Sequence, residues 1–198
     1  MSQKIGIFGG SFNPPHVGHV LLAALVLSTR DFDRLIVVPT YMHPFAKSLA
    51  SFEDRIAMCT LAMGWLPRVE ISRVEETLGG ESKTLRTLEH LREAHADWSM
   101  ELVMGSDTFA ETPKWYRFDR VRELAPPLVI GRAHADEPPG SSALLPAVSS
   151  TDVRTLVAAG AWERLGELVP RSVLSLILDR KLYTAPLECE STSLAPAK

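Results

Sequence analysis

The sequence predicts an α/β fold built on one doubly wound parallel sheet, and three observations predict it. Short apolar runs of strand length alternate with longer segments of helical character along most of the chain. Two glycines close the first apolar run, and a helical pattern starts a few residues later, as in a strand–turn–helix unit. The 198 residues suffice for one domain with a substantial core and are too few for two comfortable ones.

Taken in order, residues 4–8 read as a buried strand, which Gly9-Gly10-Ser11 ends with residues that permit a tight turn. Residues 18–29 are rich in Val, Leu and Ala, too apolar for a surface helix and suited to one packed on a sheet. Residues 35–38 form the next strand, stopped by Pro39. Ser51 caps a helix over 52–65, with Asp54 as the capping acid. Residues 69–72 are a short third strand. A helix over 84–95 follows, with Leu85, Leu88 and Leu91 on its apolar face and Glu89 paired to Arg92. Residues 100–104 and 128–131 are the fourth and fifth strands. The expected strand order is 3-2-1-4-5, with helices on both faces.

Beyond the fifth strand, Pro138-Pro139-Gly140-Ser141-Ser142 marks a mobile loop over 134–146. A last helix is expected after Leu174, which gives one domain over 1–185 with a C-terminal helical segment, then a frayed Ser/Thr/Pro-rich tail over 186–198.

Bulk composition excludes several classes of partner. With 45% hydrophobic residues, 23% charged residues and a net charge of -3, the chain lacks the basic excess of a nucleic-acid binder. It has no run of about 20 apolar residues, and Met1-Ser2-Gln3-Lys4 leads straight into a strand. No membrane partner and a cytoplasmic location are therefore expected. Cys59 and Cys189 stand alone, without disulfide or zinc spacing, and Cys59 reads as a small core residue of a helix.

The segment richest in chemistry runs from Gly6 to His19: Gly-Ile-Phe-Gly-Gly-Ser-Phe-Asn-Pro-Pro-His-Val-Gly-His. Backbone N–H groups of Gly9 and Gly10 can approach phosphate oxygens, and the following helix N-terminus favours an anion. His16 and His19, three apart at the helix entrance, can point at one phosphate, and Gly18 between them lets a substrate near the backbone. Nucleotidyl transfer chiefly needs such donors, placed to stabilise charge on phosphoryl oxygens. The plainer alternative makes both histidines helix-entry residues. Neither a Walker A loop nor a GxGxxG fingerprint is present, and a zinc site lacks a third ligand.

A second constellation is Val148-Ser149-Ser150-Thr151-Asp152-Val153-Arg154. A hydroxyl-rich helix cap with Arg154 one turn on makes an anion site suited to the β- and γ-phosphates of a nucleoside triphosphate, or simply a cap. Gly105-Ser106-Asp107, at the carboxyl end of the fourth strand, places a carboxylate at the switch point of the sheet, where it can hold ribose hydroxyls or cap a helix. Lys114-Trp115-Tyr116-Arg117 offers flat rings for a heterocycle or for packing over the core edge. Lys47 is either a phosphate contact or a solvated charge.

Together these segments resemble the bacterial nicotinate-nucleotide adenylyltransferase family of the HxGH nucleotidyltransferases, from Lys4 to about Tyr183. The Gly9-to-His19 run is similar to the family's first motif, Ser149-to-Arg154 to its second, and Pro113-to-Phe118 to a segment associated with the pyridine nucleotide. The resemblance implies a Rossmann-like fold and transfer of AMP from ATP to nicotinate mononucleotide, giving deamido-NAD and pyrophosphate, with Mg²⁺ carried by ATP. It implies that His16, His19 and Arg154 act at the transferring centre. Gly9, Gly10, Ser11, Phe12, Gly18, Gly105, Asp107, Ser149, Ser150 and Thr151 would bind ATP, and Lys47, Thr84, Trp115 and Tyr116 the pyridine mononucleotide. Two departures stand out. Met42-His43-Pro44-Phe45-Ala46-Lys47 replaces a Pro-Pro-His-Lys run, and Ser82-Lys83-Thr84 replaces Ser-Tyr-Thr, so nicotinamide mononucleotide or another phosphorylated acceptor stays open. An NAD-dependent oxidoreductase is disfavoured because Pro39-Thr40, not an acid, follows the second strand. A non-catalytic nucleotide-binding protein is disfavoured by the intact histidine pair.

Overall fold

The computed structural model describes residues 2–42, 49–131 and 145–184. Five parallel strands form one sheet in the order β3-β2-β1-β4-β5: β1 (Gln3–Gly10), β2 (Arg34–Pro39), β3 (Val69–Ile71), β4 (Trp98–Gly105) and β5 (Pro127–Ile130). β1 is central, with Ile7 opposite Ile36 of β2 on one side and Leu102 of β4 on the other. The chain winds outward from β1 to β3, then crosses back to β4. The carboxyl ends of β1 and β4 thus flank the point where the winding reverses and a crevice must open.

Alternation along the strands sorts side chains into two cores. Phe8, Leu35, Val37 and Val103 face α1 (Val17–Thr29), α2 (Phe52–Met63) and the last three helices, α7 (Ser150–Ala158), α8 (Trp162–Leu168) and α9 (Arg171–Asp179). Ile5, Ile7, Ile36, Val38, Leu102 and Met104 face α4 (Thr84–Ala94) and α6 (Phe118–Leu124). Burial on both faces explains why the strands read as continuous apolar runs. Two short helices, α3 (Val74–Leu78) and α5 (Ser106–Ala110), and a 3-10 turn at Thr112–Lys114 complete the described chain. None of its helices is long and apolar enough to cross a membrane.

Several boundaries differ from the sequence expectation. β1 does not stop before its glycines: Gly9 and Gly10 pair with Val38 and Pro39, and the turn falls at Phe12, whose φ is 45°. Gly10 matters for another reason, because a Cβ there would stand 3.1 Å from the Phe12 ring. α2 ends at Met63, and Trp65 beyond Gly64 turns its indole N–H back to Ala62 O at 2.9 Å. The final helix begins at Arg171, ahead of the expected Leu174. Arg92 does not pair with Glu89; its guanidinium donates to Trp98 O (2.8 Å) and Leu124 O (3.3 Å), tying the end of α4 to neighbouring segments. Helices α3, α6 and α8 have no counterpart in the sequence pattern. Cys59 is fully buried in α2, as expected, and burial pushes its thiol up. Lys47, the tail over 186–198, Cys189 and most of the loop over 134–146 lie outside the described residues.

Leu88 is fully buried in the second core. Leu88→Ala is expected to lower unfolding free energy by about 2–5 kcal/mol, read as a shift in urea midpoint at constant slope.

Candidate active site

The first motif leaves the sheet at the carboxyl end of β1. Gly9 faces open space, with nothing within 4 Å of where a Cβ would stand, so a ligand can reach its backbone. The chain then reverses through Phe12 and enters α1 at His16, the N-cap. His16 N–H donates to His19 Nδ1 at 3.1 Å, and the two imidazoles lie 3.8 Å apart at 31°. An Nδ1 that accepts a hydrogen bond places the proton of the neutral ring on Nε2, which makes His19 a fixed donor through that atom. His16 is only 1% exposed and sits beneath its partner; His19 is half-buried.

Phe12 and Gly18 both pack against the histidines. The Phe12 ring is 1% exposed and meets His19 edge-on at 5.0 Å, so the side chain supports that imidazole from the core side. At Gly18 a Cβ would lie 3.1 Å from the His16 ring and 3.3 Å from Val148. Its missing side chain makes room for these neighbours.

The second motif docks directly onto the first. Ser149 caps α7 by accepting from Asp152 N–H at 3.1 Å, while Asp152 accepts in return from Ser149 N–H (3.0 Å) and Oγ–H (2.7 Å). Ser150 Oγ–H donates to Pro14 O at 2.8 Å, a direct bond from α7 to the loop after β1. Arg154 Nη1 donates to Asn13 O at 2.8 Å and Nη2 to Thr151 Oγ1 at 3.2 Å. Helix capping and anion binding are therefore compatible here: the cap holds α7 and the guanidinium spans both motifs, with further N–H donors available for phosphate.

Gly105 ends β4 and caps α5, and Asp107 follows in the first turn of that helix with an exposed side chain. A cavity of 440 Å³ opens between these elements. Gly9, Gly10 and Ser11 bound one part of it; Lys83, Thr84, Trp115 and Tyr116 bound another. The two histidines, Asp107 and the α7 cap are not among its lining residues, and Gly9–Ser11 is the part of the first motif that bounds the cavity. Thr84 is the first residue of α4, as expected. Trp115 is half-buried with its ring edge-on to Phe118 at 5.9 Å, and Tyr116 is 63% exposed with Lys83 Nζ 5.5 Å over its ring.

Two site residues escaped the sequence reading. Arg55 is 1% exposed and reaches Ala50 O (3.0 Å), Ser11 O (3.1 Å), Thr40 O (2.6 Å) and Tyr41 O (3.3 Å), joining the loops after β1 and β2. Its position with Met58, Cys59, Ala62 and Met63 on the buried stripe of α2 was the available signal, since an arginine at such spacing must find acceptors. Glu75 lines the cavity at 9% exposure, accepting from Thr87 Oγ–H (2.9 Å) and Tyr41 N–H (3.3 Å). Burial raises its carboxyl above the ordinary value, against the smaller pull of these bonds and of Arg86 and Arg55.

Fold and motif geometry together define a nucleotidyltransferase of the cytidylyltransferase-like class, whose family model matches residues 7–156. A "probable nicotinate-nucleotide adenylyltransferase" of Anaeromyxobacter sp. (strain K) is 44% identical over 184 residues, covering 91% of this chain and 97% of the relative. One of Myxococcus xanthus (strain DK1622) is 37% identical over 184 residues, covering 91% and 94%. The chain belongs to the nicotinate-nucleotide adenylyltransferase family. Among solved structures, a Plasmodium falciparum nicotinic acid mononucleotide adenylyltransferase complexed with NaAD shares the fold at a TM-score of 0.79 and 17% identity, over 91% of this chain and 97% of that one.

Two measurements probe the site. His19→Ala is expected to lower kcat by about a hundredfold or more with the circular-dichroism spectrum and melting transition retained; an unchanged rate removes His19 from the chemistry. Below the ordinary carboxyl value of 4.5 the stabilising contribution of Glu75 is fully present. Between 4.5 and the raised folded value the native state holds the extra proton, so stability falls as pH rises through that window. The unfolding free energy of the wild type should decline relative to Glu75→Gln over that window; parallel curves would show that burial does not perturb the group.

Proposed function

We propose that the chain transfers AMP from ATP to nicotinate mononucleotide, forming deamido-NAD and pyrophosphate. The observation that carries this reading is the docking of α7 on the first motif through Ser150 to Pro14 and Arg154 to Asn13, which gathers imidazole, hydroxyl and guanidinium donors at the rim of the central strand. An oxygen of the acceptor's phosphate attacks the α-phosphorus in line. The bond from that phosphorus to the oxygen bridging to the β-phosphate breaks, and pyrophosphate leaves with the electron pair. The attacking phosphate is already ionised near pH 7 and needs no general base. His19, with its proton on Nε2, stabilises charge gathering on the α-phosphoryl oxygens, and Arg154 with Ser149 and Thr151 offsets that of the departing pyrophosphate. Asp107, at the carboxyl end of β4, holds the ribose.

Mg²⁺ enters as part of the substrate, bound to the triphosphate. Among the described residues no three His, Cys, Asp or Glu side chains gather into a metal cage. The imidazole, hydroxyl and guanidinium groups present suit phosphate oxygens, while Mg²⁺ held by a triphosphate needs few ligands from protein.

The cavity suits a pyridine mononucleotide. Trp115 offers a ring to stack on a flat heterocycle, and the N-terminus of α4 at Thr84, beside the Lys83 ammonium, favours the carboxylate of nicotinate over the amide of nicotinamide. Pyrophosphate release with MgATP and a panel of phosphorylated acceptors tests this. Nicotinate mononucleotide should turn over fastest, and Trp115→Ala should raise its KM about tenfold with the KM for ATP unchanged. Release with no pyridine mononucleotide overturns the acceptor assignment.

A further inference from the structure

Beyond α9 the chain turns back toward the first motif, and this return is built with some care. Arg180 pairs with Asp54 of α2. Lys181 and Tyr183 adopt left-handed backbone, with φ of 50° and 62°, a conformation rare for residues with side chains and held only where surroundings demand it. Leu182 and Tyr183 pack against the core beneath α1 and α2, and Leu182 N–H donates to Ile177 O at 3.0 Å. The result is that the Tyr183 hydroxyl donates to Asn13 Oδ1 at 2.9 Å, across 170 residues of sequence.

Asn13 is not an arbitrary target. Its side-chain oxygen also accepts from Ala50 N–H at 2.9 Å, and its carbonyl accepts from Arg154 Nη1 at 2.8 Å. The residue is 2% exposed. Tyr183 and Ala50 therefore fix the side chain of a residue whose backbone fixes the phosphate-side arginine. We propose that Tyr183 is a positioning residue for nucleotidyl transfer, acting through Asn13 on the placement of Arg154. The C-terminal turn is thereby a working part of the site. Burial pushes the phenol up, so it remains a donor throughout the neutral range. A tyrosine that served packing alone would not need its hydroxyl at this point, because Phe fills the same space.

The inference rests on the reading of Arg154 as a ligand of the triphosphate, and the test uses the full chain. Tyr183→Phe should lower kcat/KM for ATP about five- to tenfold, the scale of one lost neutral hydrogen bond, with the KM of the acceptor unchanged. In an Arg154→Ala background the same substitution should change kcat/KM for ATP less than about twofold, because the residue it acts through is gone. Calorimetric binding of MgATP gives the same comparison without turnover, so it still reads the coupling if no acceptor proves active. Full activity and MgATP affinity in Tyr183→Phe, or an equal loss in both backgrounds, overturns the proposal.

Discussion

The structure turns on how main-chain carbonyls are covered where the first motif leaves the sheet. Carbonyl oxygens repel phosphate, so a loop that brings backbone N–H groups to a triphosphate must turn its C=O groups onto other donors. At Asn13 and Pro14 those donors come from α7: the Arg154 guanidinium on one and the Ser150 hydroxyl on the other. The two bonds join segments 141 and 136 residues apart and make one site of what would be two loops. Because the donors belong to a helix capped by the reciprocal Ser149 and Asp152 pair, the angle at which Arg154 arrives is set before any ligand does.

Arg55 answers the same problem on the β2 side. Burying a guanidinium costs several kcal/mol in effective desolvation, and desolvation is the leading cause that lowers its pKa. No carboxylate closes on it within salt-bridge distance among the described residues; four carbonyl contacts do the compensating. An apolar residue would fill the volume but leave Ser11 and Thr40 carbonyls unsatisfied at the carboxyl ends of two neighbouring parallel strands. The charge is retained for its count of planar donors, which no other side chain matches.

How far the sequence revealed all this depends on range. Strand order, the apolar stripe of Leu85, Leu88 and Leu91, and the serine caps of α2 and α7 were legible, because each is a local pattern that repeats or a residue type with one strong use. Helices α3, α6 and α8, of 5, 7 and 7 residues, are too short for a 3.6-residue period to declare itself, and α6 starts from Arg117 at φ 48° with no residue type to mark it. The motifs stand out in sequence, but the packing of Gly10, Phe12 and Gly18 against neighbouring rings does not. Glycine and phenylalanine in a phosphate loop suggest ligand contact, whereas what they do depends on which ring packs over which, a tertiary fact. Tyr183 and Glu75 were invisible for the same reason: each bonds to a residue distant in sequence.

The two cores of the sheet divide the labour. Phe12, Val148 and Val153, which carry the histidines and the α7 cap, belong to the core under α1, α2 and α7 to α9. The cavity is floored by Ile7, Val38, Leu102 and Met104 and walled by Leu88 and Trp115, all members of the opposite core. Val103 of the first core also lines the cavity, as does the Gly9–Ser11 stretch that leads from the central strand toward the histidines. Packing coupling falls off between side chains that share no neighbours, so residues on the cavity face can vary with little effect on the docking of α7. Lys83 and Tyr116 lie on that face, at the mouth of the cavity and away from the docking bonds of α7. The departure of Ser82-Lys83-Thr84 from the family pattern therefore alters the cavity wall and leaves the docking of α7 on the first motif intact.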